Sequence, residues 1–243
     1  KYEFEASRSK LQVIKNMRQR TAVAIKQNNP LPTFTRLMPI VCSKEVLLTA
    51  YGNIKSNKGS TTPGTQNQTA DEMSMERIEK LSLELKNGTY NFPDVRRTWI
   101  PKPIKEVDWK KKENLIKLGR PLGVPDFDAK LVQEATRMVL SAIYEPIFDY
   151  EDVSFGFRPK LGCQNALTTA QTKAQGMVYA MEGDIKGAYG SLIHERLISL
   201  LSQRIQDRSF LDLILKMCEA GIFDALQNIR TDSLIGVPQG AIV

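Results

Sequence analysis

The alternation of apolar and polar positions divides the chain into helical stretches separated by polar or extended ones. Over residues 7–27, Leu11, Ile14, Arg18, Ala22 and Ile25 recur at helical spacing, an apolar stripe broken by one arginine. Asn29-Pro30-Leu31-Pro32 ends that helix, because proline removes a donor and disfavours helix before it. A second helix is expected over 34–51. Residues 72–87 place Ile78, Leu81 and Leu85 on one face and stop at Asn87-Gly88. Val95–Ile100 reads as a short strand with Val95, Arg97 and Trp99 on one side. Residues 119–125 resume an extended course. Residues 127–145 form a strong helix, with Leu131, Ala135, Met138 and Ala142 as its stripe and Val132, Val139 and Ile143 beside it. Residues 163–175 are helical. Val178–Ile185 reads as a buried strand ending in a carboxylate, and 195–205 and 210–220 as two more amphipathic helices. The stretch 229–243 is extended. No internal repeat is present.

Charge adds a partition that periodicity does not show. The 243 residues carry 34 Lys and Arg against 27 Asp and Glu, a net charge of +7. Residues 1–120 hold a balance of +11 and residues 121–243 a balance of −4. A basic half points to a polyanionic partner. On the first helix, Lys10, Lys15 and Arg18 are either a solvated face or a phosphate-contacting arm. The loop Lys55–Gly64, with Lys55 and Lys58, is too polar for burial. It reads as a mobile linker or as a backbone-and-lysine cradle for phosphates.

Composition narrows the class. Hydrophobic residues at 42% and charged residues at 25% exclude wholesale disorder. No apolar run reaches the roughly 20 residues of a membrane span. The chain starts at Lys1-Tyr2-Glu3, without an initiator Met or signal peptide, and so reads as a processed or excised product. Cys42, Cys163 and Cys218 are far apart, which fits buried thiols in a reducing compartment; bacterial cytoplasm and a mitochondrion or other organelle both satisfy this. One His and no Cys-X-X-Cys make structural zinc improbable.

Four stretches carry chemistry: Ile100–Pro103 with Arg120–Pro125, Phe155–Pro159, Asp184–Tyr189, and Gly236–Gly240. In this order, from the Lys55–Gly64 loop to Val243, the chain closely resembles the reverse transcriptases encoded by group II introns, which also act as maturases. The resemblance implies an α+β fold of the right-hand polymerase kind. Residues 1–50 would be a basic helical extension. Residues 51–175 would be mostly helical fingers with a small β-hairpin, and 176–243 the first part of an antiparallel palm sheet. The implied activity is RNA-directed DNA polymerisation, in which a primer 3′-hydroxyl attacks a deoxynucleoside triphosphate and two Mg²⁺ ions stabilise the attacking and leaving oxygens. It would serve intron homing by target-primed reverse transcription, and the protein would bind intron RNA in splicing.

The resemblance also assigns residues. Taken alone, Asp184 reads as a turn cap; with the other motifs it matches the first metal-binding aspartate, with the Ile185 carbonyl on the same ion. Tyr189 matches the aromatic under the sugar, where bulk excludes a 2′-hydroxyl. Lys102 and Arg120 match the triphosphate-holding pair, joined here by a long connection that carries Lys110-Lys111-Lys112. Gln239 matches the residue near the incoming nucleotide and template. Phe157 and Arg158 match the template path, with a rigid turn as the competing role. His194 is read as structural or exposed and has no catalytic assignment. Two departures stand out. Gly190 replaces a common Asp, and the second palm signature, Tyr-X-Asp-Asp, occurs nowhere in the chain. The chain thus reads as the amino-terminal part of a larger protein that binds RNA without polymerising. Its implied partners are group II intron RNA, RNA template, DNA primer and deoxynucleotide, with no membrane; a homodimer is compatible. The alternative is a maturase-only splicing cofactor whose polymerase has decayed. A basic globular domain with no nucleic-acid role is the third reading.

Overall fold

A computed structural model describes residues 9–237. The chain is α+β, and its core is built around one long helix. α6 (Phe127–Glu151) buries Phe127, Leu131, Val132, Ala135, Val139, Ala142 and Ile143. α1 (Lys10–Lys26) and α3 (Lys44–Ile54) lie against it. The pattern of apolar positions places this helix over 127–145; it runs about one and a half turns further, through Pro146. Proline deletes one backbone donor, and Tyr144 stacks on Phe148 across it, with ring centroids 6.4 Å apart.

α1 corrects the predicted stripe. Its buried residues are Met17, Thr21 and Ala24, with Leu11, Val13 and Ile14 packed beside them. The helix is rotated so that Arg18 and Ala22 face solvent. Burying an unpaired guanidinium would cost far more than exposing one alanine methyl. The expected helix over 34–51 is two helices, α2 (Met38–Val41) and α3, separated at Cys42-Ser43. The Ser43 hydroxyl accepts the Val46 amide at 3.3 Å and starts α3. α4 (Met75–Asn87) begins on a Ser74 cap and ends at Gly88, whose φ of 69° is left-handed.

The remaining elements surround this centre. They are β1 (Val95–Ile100), α5 (Lys112–Leu118), β2 (Arg120–Val124), α7 (Cys163–Lys173), α8 (His194–Ser202), α9 (Arg208–Cys218), β3 (Ile222–Asp224) and β4 (Ile229–Thr231). Asp207 ties the start of α2 to the start of α9. Its Oδ2 accepts the amides of Leu37 at 2.6 Å and Met38 at 3.0 Å, while Oδ1 accepts that of Phe210 at 3.2 Å.

The four strands form one mixed sheet in the order β2-β1-β3-β4. β1 pairs antiparallel with β2, placing Ile100 opposite Arg120, and parallel with β3, placing Val95 opposite Ile222. β3 and β4 close an antiparallel hairpin. The Trp99 indole donates to Asp224 Oδ2 at 2.9 Å, and the Arg97 guanidinium lies 5.9 Å from the Trp99 ring centroid, in keeping with their shared face.

One expected element is missing. Residues 178–185 form no strand, and Val178, Tyr179, Met181 and Ile185 are at least three-quarters exposed. A strand buried on both faces needs neighbours to pair its amides and carbonyls. The described strands pair only with one another. A separate antiparallel palm sheet is therefore not formed among the described residues.

Candidate nucleotide and nucleic-acid interface

The two halves of the first motif group are joined by the sheet. Arg120 opens β2 opposite Ile100, and Lys102 follows Ile100 by two residues, so the Lys102 and Arg120 backbones sit at the same end of the β1–β2 hairpin. Both side chains are exposed. The 19-residue connection does not disturb the pairing, because α5 folds within it and Gly119 closes it with an amide donated to the Leu115 carbonyl at 2.9 Å. Lys110 and Lys111 lie in the exposed loop before α5, and Lys112 starts the helix.

The third and fourth groups, Asp184–Tyr189 and Gly236–Gly240, about 50 residues apart in sequence, are joined directly through their backbones. The Val237 amide donates to the Tyr189 carbonyl at 2.8 Å, and the Gly236 amide to the Leu192 carbonyl at 2.8 Å. Gly187 has a φ of 64°, and its carbonyl accepts the Ser191 amide and hydroxyl, each at 3.0 Å, closing the turn that carries Tyr189. Gly236 is at φ 82°, and a β-carbon there would lie 2.8 Å from Gly190 Cα, Gly190 O and Tyr189 O. Only glycine admits that approach. Gln239 lies outside the described residues. Gly190, by contrast, has ordinary room: a β-carbon there would meet only Gly187 O, at 3.7 Å.

Asp184 and Ile185 lie in the exposed coil leading into this turn, and Tyr189 is about half exposed. No hydrogen bond or ion pair among the described residues engages the Asp184 carboxylate. For Mg²⁺, a carboxylate and a backbone carbonyl are ligands of the right kind, hard oxygens. They fall short in number: no cluster of three or more His, Cys, Asp or Glu able to hold a metal exists among the described residues.

The expected RNA-facing residues divide in two. Lys15, Arg18, Lys55 and Lys58 are exposed, and Phe157 is fully exposed at a left-handed φ of 58°. Lys10 is half-buried, with its amide donated to Glu45 Oε2 at 2.7 Å. Arg158 does not face outward. Its side chain is buried; Nε donates to Glu145 Oε1 at 2.9 Å, Nη1 to the Ser154 carbonyl at 2.8 Å and Nη2 to Asp149 Oδ1 at 3.3 Å. The Glu145 carboxylate raises its affinity for the proton further. These bonds occupy the guanidinium, so Arg158 fits the rigid-turn role, not the template path.

The Lys55–Gly64 loop is exposed over residues 55–59 but tied down beyond them. Ser60 and Gly64 are buried, and the Lys130 ammonium donates to the carbonyls of Gly59 at 2.9 Å and Thr62 at 3.0 Å. Just beyond, a nest of donors does cradle an anion, but it is the chain's own. Asp126, fully buried at the start of α6, accepts the amides of Thr65 at 3.0 Å, Gln66 at 3.0 Å and Gln68 at 3.4 Å, and the Thr65 hydroxyl at 3.1 Å. The Thr65 hydroxyl also approaches the Asp94 carbonyl at 2.8 Å, and the Asp94 carboxylate accepts Arg230 Nε of β4 at 2.7 Å. Sequence reasoning missed Asp126, although an Asp directly before an apolar helix signals an N-cap. Here that carboxylate turns away from the helix to the loop.

The thiols also divide. Cys42 and Cys218 are buried and pushed up to about 11 by desolvation, whereas Cys163, at the start of α7, is exposed. The expectation of three buried thiols is corrected at Cys163, where α7 buries none of its residues. Among the described residues, no helix is long and apolar enough to cross a membrane.

No protein-family model matches the chain. Among curated proteins it is 42% identical over 217 residues to the group II intron-encoded protein LtrA of Lactococcus lactis subsp. cremoris, covering 89% of this chain and 34% of LtrA. It is 38% identical over 201 residues to an uncharacterized 91 kDa protein in the cob intron of Schizosaccharomyces pombe, covering 83% of this chain and 23% of the relative. It is 34% identical over 209 residues to a putative COX1/OXI3 intron 2 protein of Saccharomyces cerevisiae, covering 86% and 23% respectively. The chain spans about a third or less of the length of these relatives.

Proposed function

The chain belongs to the group II intron-encoded proteins, and on that footing we propose that it forms the fingers and first part of the palm of an RNA-directed DNA polymerase that also binds its intron RNA. The supporting observation is the backbone junction of the Asp184–Tyr189 turn with Gly236-Val237. It ties the backbone of the turn that follows Asp184 to the second loop. In this reading residues 51–175 are fingers and 176–243 palm, and the two share one sheet through β1 and β3.

The residues divide the work of nucleotide addition. Lys102 and Arg120, at one hairpin end, hold the triphosphate; a guanidinium and an ammonium together offset part of its charge, the one with a planar fork and the other with a flexible arm. Tyr189 fills the space under the sugar and excludes a 2′-hydroxyl by bulk. Gln239 contacts the nucleotide and template side. Asp184 and the Ile185 carbonyl would hold Mg²⁺, which when bound stabilises charge on the attacking and leaving oxygens. Lys15, Arg18, Lys55 and Lys58 contact intron RNA phosphates, and Phe157 offers its ring to an unstacked base.

Asp184→Ala in the full-length protein tests this. Templated DNA synthesis should be lost while intron RNA binding is kept; synthesis near the wild-type level refutes the assignment. The chain by itself should bind intron RNA, with affinity falling as salt rises, and should extend no primer.

A second reading, an RNA-binding splicing cofactor without polymerase activity, draws on Gly190 where relatives commonly carry Asp. The room around Gly190 weakens it, because the turn closes on Gly187 without a side chain at position 190. Full-length protein that supports splicing but shows no DNA synthesis would favour it.

A further inference from the structure

The single histidine is the unclaimed part of this junction. His194 is the first residue of α8 and only 5% exposed. Its Nε2 lies 2.6 Å from the Gly236 carbonyl. A carbonyl oxygen only accepts, so Nε2 carries the proton and donates it. The Ser233 hydroxyl approaches the same oxygen at 3.3 Å. Gly236 is therefore held at two points, by its amide on Leu192 and by its carbonyl on His194, in a place where a β-carbon would collide with the Tyr189–Gly190 backbone.

We infer that His194 is a positioning residue for sugar selection: by holding Gly236 it seats the second loop on the Tyr189 carbonyl and fixes the aromatic ring against the nucleotide sugar. The ring excludes a 2′-hydroxyl only if its backbone cannot retreat. Tyr189 is about half exposed. The bond from Val237 to its carbonyl ties it to the second loop, and that bond depends on where Gly236 sits. α8 is anchored against α9, so the imidazole acts from a fixed base. The inference rests on the polymerase reading above and assigns a role within it.

The test uses full-length protein, with steady-state incorporation of deoxy- and ribonucleotides measured for wild type, His194→Ala, His194→Gln and Asp184→Ala. Loss of one buried hydrogen bond corresponds to an effect of about three- to tenfold. His194→Ala should raise KM for the deoxynucleotide by that factor, with kcat less affected, and should lower deoxy-over-ribo selection by a similar factor. His194→Gln, whose amide can donate from the same place, should restore both. Gly236→Ala, which forces its new methyl against Tyr189 O, should reproduce the loss, and it carries the test if His194→Ala does not fold. Unchanged selection in both folded variants overturns the inference, as does a uniform fall in kcat that glutamine does not rescue. DNA synthesis by Asp184→Ala would instead overturn the polymerase reading.

Discussion

The most stringent test of the fold is Asp126→Asn, a change of one heavy atom in the side chain. The carboxylate is fully buried and meets four donors: the amides of Thr65, Gln66 and Gln68, and the Thr65 hydroxyl. Oδ2 serves Thr65 twice and Gln66 once; Oδ1 serves Gln66 and Gln68. An asparagine amide must aim an NH₂ at one of these groups, whichever way it flips. At least two bonds are lost, and an N–H then faces an N–H. Hydrogen bonds to a charged acceptor contribute about 1.5–3 kcal/mol each, and orphaned buried donors cost about as much. The expected destabilisation is thus about 3–5 kcal/mol, a large part of the about 5–15 kcal/mol that holds a domain. Urea unfolding of the chain followed by circular dichroism should show the midpoint falling by about 1–3 M at an ordinary slope. Thr65→Val, which removes only the hydroxyl, should cost about 1 kcal/mol and add little in the Asp126→Asn background, because both act on one cluster. A midpoint within 0.3 M of wild type, roughly 0.6 kcal/mol, would refute the claim that this carboxylate holds the loop.

Two further outcomes follow from the thiols. In the folded chain a maleimide should modify Cys163 rapidly and leave Cys42 and Cys218 untouched until urea is added, read by mass spectrometry; early modification of either buried thiol would contradict their placement. The folded state also holds the Cys42 and Cys218 protons up to about pH 11, whereas the unfolded chain releases them near 9. With folded pKa values raised, this contribution is intact below pH 9 and is lost as pH rises toward 11. Replacing both by alanine should flatten that part of the stability–pH curve, and an unchanged slope would argue against it.

Helices were legible where the chain supplies its own partner. α4 reads correctly because Ile78, Leu81 and Leu85 pack on neighbours within the chain and Gly88 supplies the left-handed stop. α1 was found, but its face was not. Leu11 and Ile14 belong to both candidate stripes, and only the cost of burying Arg18 separates them. The β1–β2 hairpin was legible as two extended segments; its register was not, because a connection containing a helix leaves no turn chemistry to set it. Residues 178–185 fail for the opposite reason. Their apolar run is a true strand signal, but pairing is a property of two segments, and the described residues supply no second one.

The candidate site divides along the same physical line. Residues whose proposed role comes from chemical type at an exposed position, such as Lys102, Arg120 and Asp184, are named from motifs and lie in solvent. Those whose role comes from what they touch could not. Arg158 and Asp126 carry the charges that suggest polyanion or metal binding, yet each is consumed by groups folded against it: Glu145 and Asp149 in one case, the Thr65–Gln68 amides in the other. A buried charge is stable only when such partners exist, so burial itself removes these two from any outward role. His194 shows the reverse. It has no motif spacing that marks a ligand, and its place in the junction follows only from Gly236, which has a left-handed φ and no room for a β-carbon. The glycine was the legible sign. A backbone that must come within contact distance of another needs something to hold it there, and His194 supplies that donor from within the chain.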